Sequence, residues 1–191
     1  MGQAKRRKEI EAAWLNALDE QERTLVRVAQ KLGGALPLDG ACYRASLFMK
    51  LFLEQEHGIV ADAVIGFVND GTDKLYSSHA WVEFEGKQTD LTLCRPLSPE
   101  VQRRGPLTIH GRVITGGWRY SYHRDRPPEG LLVVEQLMSD PSTRPMIIES
   151  EQLHSRMLIL SKDNGLARAY LDDAPDGRTY GVIARAIKQT S

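Results

Sequence analysis

The sequence predicts an α+β domain on three observations. Apolar residues recur at helical spacing up to Gly58, the pattern then changes to two-residue alternation, and turn residues join the alternating segments as antiparallel neighbours. With 191 residues, 41% hydrophobic and 26% charged, the chain can bury one core without disulfide or metal staples, so residues 1–191 are read as a single domain.

Residues 1–34 predict two N-terminal helices. Ile10, Trp14, Leu15 and Leu18 form one stripe, and Leu25, Val28, Ala29 and Leu32 form a second. Asp19 followed by Glu22 has the form of a capping box opening the second helix, and Gly33-Gly34 supplies an end for it. Lys5 to Lys8 reads as a solvated end. After a turn at Pro37, Asp39-Gly40 precedes a helix that is apolar on most sides, carries Cys42 in its first turn and stops at Gly58.

Ala61, Ala63, Ile65 and Phe67 then alternate with Asp62, Val64 and Gly66, which predicts a strand ending near Asn69-Asp70-Gly71. The run H-A-W-V-E-F-E-G-K-Q-T-D-L-T predicts a hairpin closed at Glu85-Gly86-Lys87. Beyond Cys94 the prolines at 96, 99 and 106 suggest an irregular crossing, and Leu107 to Tyr122 predicts further strand broken at Gly116-Gly117. Leu131 to Val134 is a short strand candidate, Met146 to Leu160 fits strand or helix, and Arg178 to Lys188 predicts a closing amphipathic helix.

Twenty-five basic residues balance 25 acidic ones, so composition gives no support to binding of nucleic acid. The basic start lacks a following apolar stretch, Arg6 stands where a myristoylation motif wants Ser or Thr, and no segment approaches the roughly 20 apolar residues of a membrane span. A cytoplasmic protein with no membrane partner and two reduced thiols, Cys42 and Cys94, is expected.

The chemistry concentrates on three residues. A thiolate is favoured in the first turn of a helix, where unsatisfied N–H groups and the positive end of the dipole face it, and Cys42 has that placement. The same N–H groups can hold the oxyanion formed when a thiolate attacks a carbonyl. Such a nucleophile needs a base, and the base needs an acceptor on its other ring nitrogen. His79 and Asp90 would stand side by side across the hairpin, and alternation puts His79, Trp81 and Glu83 on one face with Ala80, Val82 and Phe84 on the core side. The spacing of the cysteines and histidines fits no familiar zinc pattern, so neither metal nor cofactor is expected. Cys94 is read as core, and His110 and His123 as residues of a sheet face.

The motifs D-G-A-C-Y-R-A-S, S-S-H-A-W-V-E-F and T-D-L-T resemble those of the transglutaminase-like branch of the papain-like cysteine enzymes. They are similar also to the cysteine peptidases of lasso-peptide maturation, where the H-A-W-V-E element recurs. The resemblance covers residues 39–93. It implies a papain-like or transglutaminase-like fold, with the Cys-bearing helix packed on an antiparallel sheet, and a triad of Cys42 as nucleophile, His79 as base and Asp90 as orienter. Tyr43 and Trp81 are the candidate substrate contacts. Residues 95–191 carry no recognisable motif of that family, no upstream Gln or Asn completes an oxyanion hole, and no carboxylate cluster suggests calcium dependence.

The expected function is thus that of a cysteine-dependent hydrolase or acyltransferase working through a thioester on a peptide, protein or small amide or acyl substrate. Its alternative is an inactive protein of the same fold serving as a binding or adaptor module.

Overall fold

The computed structural model describes residues 2–35, 38–100 and 102–189; the expected turn at Pro37 lies outside them. Helices α1 (Gly2–Ala17) and α2 (Glu20–Ala35) meet at the anticipated capping box, in which Glu22 N–H donates to Asp19 Oδ1 at 2.8 Å and Asp19 N–H to Glu22 Oε2 at 2.9 Å. Of the first stripe, Trp14, Leu15 and Leu18 pack on the core while Ile10 stays exposed. Gly33 and Gly34 fall inside the last turn of α2 and do not end it.

Helix α3 (Cys42–His57) lies at the centre, with Leu47, Phe48, Leu51 and Leu53 shut off from solvent. Gly58 ends it in a left-handed conformation (φ 66°), its N–H bonding to Glu54 O and that of Ile59 to Leu53 O. Against α3 packs an antiparallel sheet of order β3-β2-β1-β6, formed by β1 (Asp62–Asn69), β2 (Ser77–Phe84), β3 (Lys87–Thr89) and β6 (Ser121–His123). Glu85 and Gly86, both at positive φ, make the two-residue turn between β2 and β3. A second hairpin of β4 (Leu107–Ile109) and β5 (Arg112–Thr115) joins this sheet through the Asp90–Thr108 bridge. Alternation along β2 is as expected, since Ala80, Val82 and Phe84 belong to the core cluster.

The C-terminal part is helical: α4 (Pro128–Ser139), α5 (Arg144–Lys162), α6 (Asn164–Asp172) and α7 (Tyr180–Gln189). The strand expected at Leu131–Val134 is instead the middle of α4. A four-residue apolar run does not discriminate strand from helix; Pro128 suits the first helical turn, and α4 packs against α5. Met146 to Leu160 resolves as helix. α6 had no sequence expectation; Asp163 caps it, accepting from the N–H groups of Gly165 and Leu166. One hydrophobic cluster runs from Leu18 through α3 and the sheet to Ile187, so the C-terminal helices share the core of the motif-bearing part.

At the start of α2, Glu22 also binds Lys87 of β3 and the buried His110, whose Nε2 lies 2.7 Å from Glu22 Oε1. The hydrogen bonds from Lys87, His110 and Asp19 hold the Glu22 carboxyl well below its usual range, at about 2.

Candidate active site

Cys42 is the first residue of α3, and no side chain among the described residues caps that helix. Its first-turn N–H groups therefore remain for another acceptor. Gly40, at φ 63°, turns the chain into the helix, and its N–H reaches Arg95 O at 3.3 Å, tying the loop before Cys42 to the segment that follows Asp90. A Cβ at Gly40 would come within 3.1 Å of the Leu97 side chain, so both the conformation and the space favour glycine.

His79 is the third residue of β2 and Asp90 follows β3 directly. The hairpin register places them diagonally, and His79 Nε2 lies 2.8 Å from Asp90 Oδ2. Asp90 is fixed from every side. Its backbone pairs with Thr108, while Oδ1 accepts from the N–H groups of Thr92 and Leu93 and from Thr92 Oγ1, and Oδ2 accepts from Tyr122 Oη at 2.9 Å. Burial acts to raise the Asp90 carboxyl, but the charge and hydrogen bond of His79, reinforced by Thr92 and Tyr122, outweigh it and hold the group below its usual range. Burial likewise acts against a charged His79. The Asp90 charge, aided by the neighbouring Cys42, prevails and raises the imidazole to about 10. With Nε2 committed to Asp90, Nδ1 is the ring nitrogen left for Cys42. The structure thus joins His79 directly to Asp90 and places Cys42 and His79 on the lining of one cleft.

The predicted substrate contacts divide. Tyr43 lines the cleft that holds Cys42 and His79, and its Oη lies 2.6 Å from Ser78 Oγ, which in turn meets His154 Nδ1 at 2.5 Å. Trp81 is buried outside the lining of that cleft. Its ring meets Tyr122 edge-on at 5.2 Å and its Nε1–H donates to Glu83 Oε1, so it backs the tyrosine that bonds Asp90 and presents nothing to a substrate. Cys94 is half-buried away from this cleft, with its thiol directed to Leu91 O; burial pushes that thiol up. His110 is buried against Glu22, and His123 stacks edge-on against Tyr76.

The cleft has a volume of about 420 Å³. One wall is the first turn of α3 and the beginning of β2; the facing wall comes from α4 and α5, including Val134, Leu137 and Ile147. Sequence reasoning assigned those helices no part in the site. Thr92 and Gln102, which also line the cleft, were equally missed, and Tyr122, noted among the aromatic residues of a sheet face, was given no contact with Asp90. The alternation that reveals β6 puts Tyr122 on a sheet face but cannot say which residue it meets.

Among the described residues no group of three or more His, Cys, Asp or Glu side chains could hold a metal ion, and no helix is long and apolar enough to cross a membrane. Comparison with protein-family models, with curated proteins and with solved structures returned no match.

Proposed function

We propose that this protein is a cysteine-dependent acyl-transfer enzyme, a hydrolase of an amide or peptide bond or an acyltransferase, built on a papain-like or transglutaminase-like arrangement. The observation that carries the reading is the buried His79, held charged between Asp90 and Cys42 at the uncapped start of α3, within a cleft open to substrate.

The Cys42 sulfur attacks the substrate carbonyl carbon, and the negative charge that develops on the oxygen is met by first-turn N–H groups of α3. His79 gives its proton to the departing amine as the C–N bond breaks, leaving a thioester on Cys42 and a neutral imidazole. Water or an acceptor amine, losing a proton to His79, then attacks the thioester and releases the thiolate. Asp90 holds the ring in orientation and compensates the imidazolium charge in both steps. With no metal or cofactor called on and two unpaired thiols, the cytoplasm is the compartment we assign.

Trapping of the thioester tests this. Incubated with p-nitrophenyl acetate, the wild-type protein should release a burst of about one equivalent of p-nitrophenol and carry a hydroxylamine-sensitive acetyl group on Cys42, and Cys42→Ser should show neither. Absence of both burst and adduct in the wild type would favour a binding module that keeps the fold without the chemistry.

A further inference from the structure

The mouth of the Cys42 cleft is ringed by large apolar side chains that water should not be left to cover. Leu75, Leu97, Met146 and Leu153 all line it and are respectively 43%, 76%, 59% and 42% exposed. Deeper in, Val134 and Leu137 of α4 continue the same apolar wall. Exposed apolar groups scattered singly mean little, but four gathered around a nucleophile mark a surface that a ligand covers.

The charged lining is already spent or peripheral. Arg126 gives both terminal nitrogens to Glu151, at 2.6 and 3.0 Å, and lies over the Phe67 ring at 4.3 Å. Arg95 is exposed where the cleft opens. With the Ser78 hydroxyl taken up by Tyr43 and His154, the uncharged polar lining that remains includes Ser77 and Ser150, groups that suit an amide backbone better than an anionic or cationic side chain. A volume of about 420 Å³ is in the range of sites that enclose a small organic group.

From this lining we infer that the acyl donor is a peptide segment with bulky aliphatic side chains next to the scissile carbonyl, seated between the α4–α5 wall and the first turn of α3. The inference rests on the acyl-transfer reading and names its substrate class.

Two arms separate the one from the other. In the first, N-acetyl-Leu-Leu and N-acetyl-Gly-Gly acyloxymethyl ketones label the full-length protein, the Cys42 sulfur displacing the carboxylate as a thioether forms, with iodoacetamide as a reference for the bare thiol. The leucyl probe should label about tenfold faster than the glycyl one, each rate taken relative to iodoacetamide, because each methylene leaving water favours the bound state. Leu153→Asn and Met146→Gln, changes at exposed positions that spare the core, should each cut that preference by about threefold. In the second arm, ligand-observed NMR follows reversible binding of N-acetyl-Leu-Leu amide to Cys42→Ser, with the glycyl amide as control. Selective binding of the leucyl amide supports the aliphatic site even if Cys42 proves inert to every electrophile, a result that would remove the acyl-transfer reading alone. Rapid alkylation of Cys42 with equal labelling by both ketones, and no selective binding to Cys42→Ser, would overturn the substrate class and leave the reading of the thiol standing.

Discussion

Asp90 is the anchor of the site at the scale of single residues, because its two oxygens accept from His79, Tyr122, Thr92 and Leu93 at a buried position. Replacing it by Asn keeps the shape and removes the charge that outweighs the burial of His79. The His79 ring in Asp90→Asn should then titrate well below the value of about 10 it has beside the carboxylate, a drop that imidazole NMR resonances would report. Stability follows the same pair. The folded His79 value lies above the ordinary 6.5, so its contribution is complete below about 6.5 and disappears as pH rises through about 10. Asp90 lies below the ordinary 3.8, so its contribution is present above that value and is lost as pH falls through the folded one. Tyr122→Phe deletes a hydrogen bond to a buried carboxylate and should cost about 1–2 kcal/mol in chemical denaturation, with the denaturant slope unchanged. Cys42, His79 and Asp90 were legible because each carries its chemistry in its residue type and sits at a recognisable helix start, strand or strand end. Tyr122 was not, because a tyrosine on an alternating strand announces a sheet face and its partner is 32 positions away.

At the scale of elements, two close approaches hold the scaffold. Gly66 of β1 lies under the Trp81 ring, and a Cβ there would meet His123 O at 2.4 Å and Trp81 Cη2 at 2.7 Å. Gly66→Ala must therefore push β6 or Trp81 aside, at a cost of about 1–3 kcal/mol, and displace Tyr122 from Asp90. Denaturation together with the His79 NMR shift would detect both effects. The second approach joins α2 to the hairpins through Glu22. Removing its side chain in Glu22→Ala takes away half of the capping box and the partner of His110 and Lys87, which should cost about 2 kcal/mol at neutral pH. Since the Glu22 carboxyl is lowered from 4.5 to about 2, its contribution is present above about 4.5 and fades as pH falls toward about 2, so wild type and variant should converge in stability in acid. The cap was readable from Asp19 and Glu22, three positions apart. The contact with His110 was not, because 88 positions separate its partners and no local pattern encodes them. The helix α4 was misread for a related reason: L-L-V-V is short enough to suit either period, and packing against α5 settles the matter.

For the whole molecule, the motifs of residues 39–93 hold Cys42, His79 and Asp90, yet the rest of the chain completes both the fold and the cleft. Met157, Leu160, Leu171, Ile183 and Ile187 lie in the same core cluster as Leu25 and Phe48, and α7 packs on α2. A chain ended at residue 124 would leave that face of α2 and α3 bare, and it should show no cooperative unfolding transition by circular dichroism where the full chain shows one. The central claim is that Cys42, His79 and Asp90 act as one unit, and site-resolved alkylation tests it most directly. Iodoacetamide modification of Cys42 and Cys94, followed by peptide mass spectrometry across pH in wild type and Asp90→Asn, supplies the comparison. At pH 7 Cys42 should react several-fold faster than Cys94, whose thiol burial pushes up, and Asp90→Asn should slow Cys42 several-fold without abolishing its reaction. Superimposable curves for Cys42 in the two proteins, with Cys42 reacting no faster than Cys94, would contradict the account.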